Sequence, residues 1–368
     1  MKITRVLFIL AFLSACRPVA ETTESSAKFH GKARNIIFMV GDGMGIAQVT
    51  AGMYSNFNKL NIERCTYVGL SKTHSASDLI TDSAAGATAF ASGKKTYNGA
   101  VGVGPDSIPV PTILELASRA GLATGMVVTS EITHATPACF IAHQPSRNMY
   151  EEIAADFLKT DIDLFIGGGQ NYFEKRRDGN NLFYGLREKG YIIYNQTTPL
   201  DDLRIPPGKK LAYFTAADKP LPKSQGRDYL PEATKFSIDF LQKRSEKGFF
   251  MMVEGSQIDW GGHANNTDYT VEEMLDFDEA IGKVLDFAEK DRHTLVVITA
   301  DHETGGLGIN AGSAMRKGRL KTGYTTTGHT AEMVPVFAFG PGAEAFSGIY
   351  ENTEIFYKMV KSLGLNDL

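Results

Sequence analysis

The chain has 368 residues, 43% of them hydrophobic and 22% charged, with a formal net charge of -4. That length can bury a large core, in one big domain or two ordinary ones. The charge balance argues against broad binding to nucleic acid or anionic membranes, so an anionic substrate would have to be attracted by local charge.

Lys2 and Arg5 precede the apolar run 6–13, which is too short to span a bilayer but suits the core of a signal peptide over residues 1–15. The run ends in Leu13-Ser14-Ala15-Cys16, which is similar to a bacterial lipoprotein processing site. Two outcomes fit: lipidation of Cys16 as the first mature residue, or ordinary secretory cleavage after Ala15. Residues 16–33 are polar and rich in Ser, Thr and Glu, and read as a flexible tether. No long linker and no internal repeat follow, so residues 34–368 read as one large domain.

Within that domain the apolar runs 35–40, 123–128, 163–166, 249–253, 294–299 and 334–339 read as buried strands. Helical patterns lie between them at 112–120, 150–158, 232–243 and 271–290. Strands alternating with helices predict an α/β fold with a mostly parallel central sheet covered by helices on both faces. Residues 170–230 are less regular and read as peripheral loops or a small subregion. The Gly/Thr/Lys-rich stretch 311–327 reads as an exposed loop. Cys65 and Cys139 are far apart, and we expect two free, mostly buried thiols.

The segment Thr81-Asp82-Ser83-Ala84-Ala85-Gly86-Ala87-Thr88-Ala89 sets a lone hydroxyl before a run of very small side chains. It reads as a helix that starts at Asp82/Ser83, where backbone N–H groups point outward and the dipole favours anions. Ser83 is then either a capping serine or a nucleophile. The missing bulk behind it allows another surface to approach closely.

Active-site groups of a parallel sheet collect beyond the carboxyl ends of its strands. Asp42 follows the first strand, among glycines. Thr133-His134-Ala135-Thr136 follows the second, Glu254 follows the fourth, and Asp301-His302 follow the fifth. His329 precedes the last strand and must reach in from a loop. In Asp259-Trp260-Gly261-Gly262-His263 a carboxylate and an imidazole stand four residues apart, on one face if helical. Carboxylate oxygen with imidazole nitrogen suits Zn²⁺. Asp42, Glu254, Asp259, His263, Asp301, His302 and His329 together exceed the needs of one four-coordinate ion. At least two metals are implied, and two metals about 4 Å apart are a recurring device for phosphoryl transfer.

From about 35 to 342 the chain resembles the alkaline phosphatase family, above all its short bacterial forms, including the cold-adapted Antarctic type. The motifs that carry the resemblance are V-G-D-G-M-G at 40–45, T-D-S-A-A-G-A-T-A at 81–89, K-T-Y-N-G-A at 95–100 and H-A-T-P-A at 134–138. They continue with S-R at 146–147, E-G-S-Q-I-D-W-G-G-H at 254–263, T-A-D-H-E-T-G-G at 299–306 and G-H-T at 328–330. The resemblance implies that Ser83 is the nucleophile and that Arg147 clamps the phosphate. It implies one Zn²⁺ on Asp259, His263 and His329, and a second on Asp42, Asp301 and His302. A Mg²⁺ would be held by Asp42, Thr136 and Glu254. It further implies hydrolysis of small phosphate monoesters with inorganic phosphate as product, no nucleic acid scaffold role, and a homodimer. An exported enzyme, periplasmic or anchored to the outer membrane through Cys16, fits the N-terminus.

Two positions depart from the best-known enterobacterial pattern. His134 stands where that form has an aspartate, and Trp260 where it has a lysine. His134 could meet the Mg²⁺ directly or through water, and Trp260 cannot carry the lysine's charge. That form's two disulfides have no counterpart, and the stretch between His302 and His329 is short of family insertions. The main competing reading is a phosphodiesterase or nucleotide pyrophosphatase of the same superfamily. Those often use a threonine nucleophile and generally lack the third metal, so Thr136 and Glu254 favour the monoesterase. A sulfatase would need a Cys-x-Pro-x-Arg signature, which is absent around Ser83. A noncatalytic metal-binding lipoprotein would leave Ser83 and Arg147 unexplained.

Overall fold

The computed structural model describes residues 29, 31–313 and 320–365. The signal segment 1–15, Cys16 and most of the tether 16–33 lie outside the described residues. Among those described, no helix is long and apolar enough to cross a membrane.

Eight strands come first: β1 (Asn35–Gly41), β2 (Tyr67–Lys72), β3 (Ala123–Glu131), β4 (Leu164–Gly168), β5 (Tyr191–Asn195), β6 (Lys210–Phe214), β7 (Phe249–Gly255) and β8 (Thr294–Thr299). Four short ones follow, β9 (Glu303–Thr304), β10 (Gly308–Ala311), β11 (Lys321–Gly323) and β12 (His329–Thr330). The last are β13 (Val334–Phe339) and β14 (Gly348–Glu351). Ten of these strands form one sheet in the order β14-β2-β13-β8-β1-β7-β3-β4-β6-β5. β13 runs antiparallel to both neighbours, and every other pair in the sheet is parallel.

Alternate side chains of the central strands feed two separate cores, which is why these strands are apolar throughout. Ile36, Phe38 and Val40 of β1 enter one core, with Ala84, Ala87 and Phe90 of the helix Ser83–Ser92. Ile37 and Met39 enter the other, with Met274, Phe277, Ile281, Val284 and Leu285 of the helix Thr267–Asp291. The latter set recurs every three to four residues, as one buried helix stripe must.

The α/β reading holds, and the differences lie at the edges. Residues 170–230 contain β5 and β6, which extend the sheet. Both strands are five residues long and β5 is only partly buried, so neither leaves a long apolar run. At the other edge, β2 and β14 are largely exposed and went unread for the same reason. The expected loop 311–327 is partly a hairpin, with Gly308 facing Gly323 and Ala311 facing Lys321 across β10 and β11. Residues 314–319 lie outside the described part. Cys65 and Cys139 are both free; Cys139 is buried and Cys65 is partly so. Burial pushes each thiol up to about 12.

β8, β1, β7 and β3 are adjacent in the sheet, so the groups beyond their carboxyl ends converge on one place. Because β13 is reversed, its start lies at that same edge, and His329 just before it is delivered there too. Gly43 lets the loop after β1 close over this edge. It sits at φ +71, and a Cβ there would stand 2.7 Å from Thr304 Oγ1 and 2.8 Å from Asp259 Cα. Gly86 does the same for the Ser83 helix: a Cβ would lie 3.1 Å from Asp301 Cβ. Gly43→Ala should combine a left-handed backbone penalty with overpacking, and cost about 2–4 kcal/mol. Denaturant unfolding of the two proteins side by side measures this, and an unchanged midpoint would refute it.

Candidate active site

Ser83 is the first residue of a ten-residue helix, all of it buried. The capping bond is made by Asp82, whose Oδ1 accepts from Ala85 N at 3.0 Å. The serine hydroxyl is therefore not used as the cap. It lies 3.2 Å from His302 Nε2. The other oxygen of Asp82 accepts from Arg147 Nη1 at 2.9 Å. One aspartate thus starts the helix and fixes the guanidinium. Arg147 also does not cap the next helix, which begins after Met149 without a side-chain cap. Its Nη2 is 3.4 Å from His134 Nε2.

Around Ser83 the other residues named from the sequence come together in overlapping groups. Asp42, Asp301 and His302 are fully buried and offer ligand atoms to one point. Asp42, Glu254 and buried His134 make a second group that shares Asp42. Asp259, His302 and His329 make a third. His263 stands beside this last group, 3.4 Å from Asp259 Oδ2 and 3.2 Å from His329 Nε2. Asp259 and His263 occupy the two ends of one turn of the helix Ile258–His263, as their spacing required. His329 sits in β12 rather than in a free loop, paired with Glu303 and Thr304 of β9.

The donor atoms fit cations. Both oxygens of Asp42, Asp301 Oδ2, Glu254 Oε1, Thr136 Oγ1 and His134 Nδ1 are buried with no hydrogen-bond partner. Orphaned buried carboxylate oxygens are costly unless something neutralises them. His263 Nδ1 donates to Thr327 O at 2.6 Å and His329 Nδ1 donates to Thr81 O at 2.9 Å. Those bonds orient both rings, so that Nε2 of each is the atom that would meet a cation beside Asp259. Three such donors match the preference of Zn²⁺. The Asp42, Glu254 and Thr136 oxygens suit a harder ion.

Charge repulsion tells the same story. Burial and the neighbouring Asp301, Asp259 and Glu254 raise Asp42 well above the usual carboxylate range. Burial pushes Glu254 up to about 8, against the hydrogen bond from Ser256 Oγ. His263 is raised to about 9, chiefly by its bond to Asp259. Burial, then Arg147, lowers His134 to about 3, so its imidazole is neutral. Burial, then His302, lowers His329 to about 4.

Several residues that sequence reasoning did not single out hold this arrangement. Thr304 Oγ1 donates to Asp259 Oδ1 at 2.5 Å and lies 3.2 Å from His302 Nδ1. Glu303 accepts from Gln48 Nε2, Gly306 N, Leu307 N and Thr330 Oγ1, and so ties β9 to β12. Ser256 Oγ donates to Glu254 Oε2 at 2.6 Å. Glu303 and Thr304 lie inside the motifs without a role attached there, while Asp82 was read only as part of the helix start and its hold on Arg147 was not.

A largely parallel sheet whose adjacent strand ends gather carboxylates and imidazoles around a helix-start serine defines a metal-binding α/β hydrolase. The family model "Alkaline phosphatase" matches residues 33–316 and 309–365. Alkaline phosphatase 3 of Bacillus subtilis is 35% identical, over 98% of this chain and 96% of its own. The alkaline phosphatase of the Antarctic bacterium TAB5 is 43% identical with a TM-score of 0.86, over 92% of this chain and 100% of that one. A variant of that enzyme, with Mg bound in its M3 site, is 43% identical with a TM-score of 0.86 over 91% and 99% of the two chains. The chain belongs to the alkaline phosphatase family, and it is a phosphatase.

Loading the site at neutral pH should release protons. Glu254 and His263 hold protons below about 8 and about 9 when no cation is present, and ligands bind metal deprotonated. Apparent metal affinity should therefore rise as pH increases from 6 to about 9. Calorimetry of Zn²⁺ and Mg²⁺ binding, in buffers of different ionisation enthalpy, reads the proton count directly. A pH-independent affinity with no proton release would contradict the assignment.

Proposed function

We propose that this chain hydrolyses phosphate monoesters through a phosphoserine on Ser83, with Arg147 gripping the phosphate. The observation that supports this most is the freed Ser83 hydroxyl. Its capping duty is taken by Asp82, and it stands 3.2 Å from His302 Nε2 at the meeting point of the donor groups. Asp259, His263 and His329 would hold one Zn²⁺, Asp42, Asp301 and His302 a second, and Asp42, Thr136 and Glu254 a Mg²⁺. Bound there, these cations would supply Lewis-acid stabilisation of charge on the entering and leaving oxygens.

The chain's own residues supply the rest. Ser83 Oγ attacks phosphorus in line, its proton passes to solvent, and the ester P–O bond breaks with the alcohol oxygen as leaving group. Water then attacks phosphorus, the serine P–O bond breaks, and inorganic phosphate leaves with Ser83 restored. The Arg147 guanidinium is aimed by Asp82, so its donors meet the nonbridging oxygens without rearranging. The first amides of the Ser83 helix face the same anion. His134, kept neutral by burial and Arg147, is a donor for the Mg²⁺ shell or a neighbour of it. Export ahead of function, with Cys16 as a lipid anchor, is the localisation we infer from the N-terminal sequence. A homodimer is proposed on family grounds.

A phosphodiesterase is the second reading, and it has no use for Thr136 and Glu254 beside Asp42. A chromogenic phosphate monoester should be cleaved faster than the matching diester, and chelator should abolish both rates. Ser83→Ala should lower kcat by more than about a thousandfold. Arg147→Ala should lower kcat/KM by about a hundredfold. Faster diester cleavage, or full activity in Ser83→Ala, would sink this reading.

A further inference from the structure

The side of the site away from the serine holds a cation that the motifs do not account for. Lys219 Nζ lies over the ring of Trp260, 3.2 Å from its centroid. Trp260 in turn meets His134 edge to face, with ring centroids 6.2 Å apart. His134 Nε2 is 3.4 Å from Arg147 Nη2. Arg147, His134, Trp260 and Lys219 therefore form one chain of contacts, with a cation at each end.

Lys219 is not an ordinary surface lysine, although its side chain is exposed. The backbone on both sides of it is pinned. Asp218 O accepts from Gly169 N at 2.9 Å, and Pro220 O accepts from Gln257 Nε2 at 3.3 Å. Gln257 also donates to Thr129 O, and its own oxygen accepts from Tyr269. The loop is thus fastened to the residue two before Asp259. The ammonium makes no ion pair among the described residues; Glu131 and Asp259 act on it only at longer range. An indole face holds an ammonium in place while leaving its outer N–H donors free for an anion.

We propose that Lys219, seated on Trp260, is a phosphate-binding residue of this site, supplying from another loop the charge that Trp260 cannot carry. This rests on the phosphatase reading and adds a residue to it. The cation faces the phosphate as it enters and as it leaves, so its contribution falls on binding of the dianion.

The test uses the metal-loaded chain, with inorganic phosphate as the probe. Trp260 is the single tryptophan, so its fluorescence reports on this corner alone. Lys219→Met should weaken phosphate binding by about fivefold at low salt, both as an inhibitor and by titration of Trp260 emission. The difference should shrink as ionic strength rises, and Lys219→Arg should restore binding. Unchanged phosphate binding in Lys219→Met overturns the proposal. So does an equal loss at low and high salt, which marks a packing effect, or a failure of Lys219→Arg to restore binding. If the unaltered chain turns over no phosphate ester yet shows these shifts, the hydrolytic reading fails and the Lys219 contact stands.

Discussion

Buried negative charge is the constraint on which this structure turns. Asp42, Glu254 and Asp301 are wholly shielded from water at the ends of adjacent strands, with Asp259 beside them. Burial raises the pKa of Asp42 and Glu254, and the charge of neighbouring carboxylates adds to it. Without cations, protons must fill the gap or the cluster costs stability. The glycines at 43 and 86 follow from this constraint. Each removes a side chain where a loop or helix must reach the cluster. The reversed β13 follows too, since it returns the chain to the crowded edge with His329 at hand.

Once the charges are gathered, orientation decides what they can do. Carbonyl oxygens of Thr327 and Thr81 orient the rings of His263 and His329. Thr304 links Asp259 to His302, and Glu303 ties the loop after it, at Gly306 and Leu307, to Thr330 of β12. Asp82 joins two parts of the site. Its Oδ1 completes the helix start and leaves the Ser83 hydroxyl free of capping, while its Oδ2 holds Arg147. The proposed nucleophile and the proposed phosphate clamp are thus both set by a single carboxylate.

The centre of the fold could be read from the sequence because β1, β3, β7 and β8 are buried on both faces and must be apolar throughout. The edges could not, since β2, β5 and β14 are half solvated and short, and carry no continuous signal. Asp42, Glu254, Asp301 and His302 were visible as carboxylates or imidazoles at strand ends, Asp259 and His263 by their spacing of four, and Thr136 through its motif. What stayed hidden was pairing across long sequence gaps. Asp82 with Arg147 is one example, and Lys219 on Trp260 is the clearest. Composition marks neither, because a lysine in an irregular stretch looks solvated until the loop that holds it is seen pinned at Asp218 and Pro220.

The central claim is that Ser83, freed from capping, carries the phosphoryl group during turnover. Acid quenching of the enzyme while it hydrolyses a phosphate monoester, followed by mass spectrometry of its peptides, tests this most directly. The account predicts phosphate on the peptide that contains Ser83, located at that residue by fragmentation and lost when the enzyme is chased with unlabelled buffer. Phosphate on a different residue of an enzyme trapped mid-turnover would contradict it.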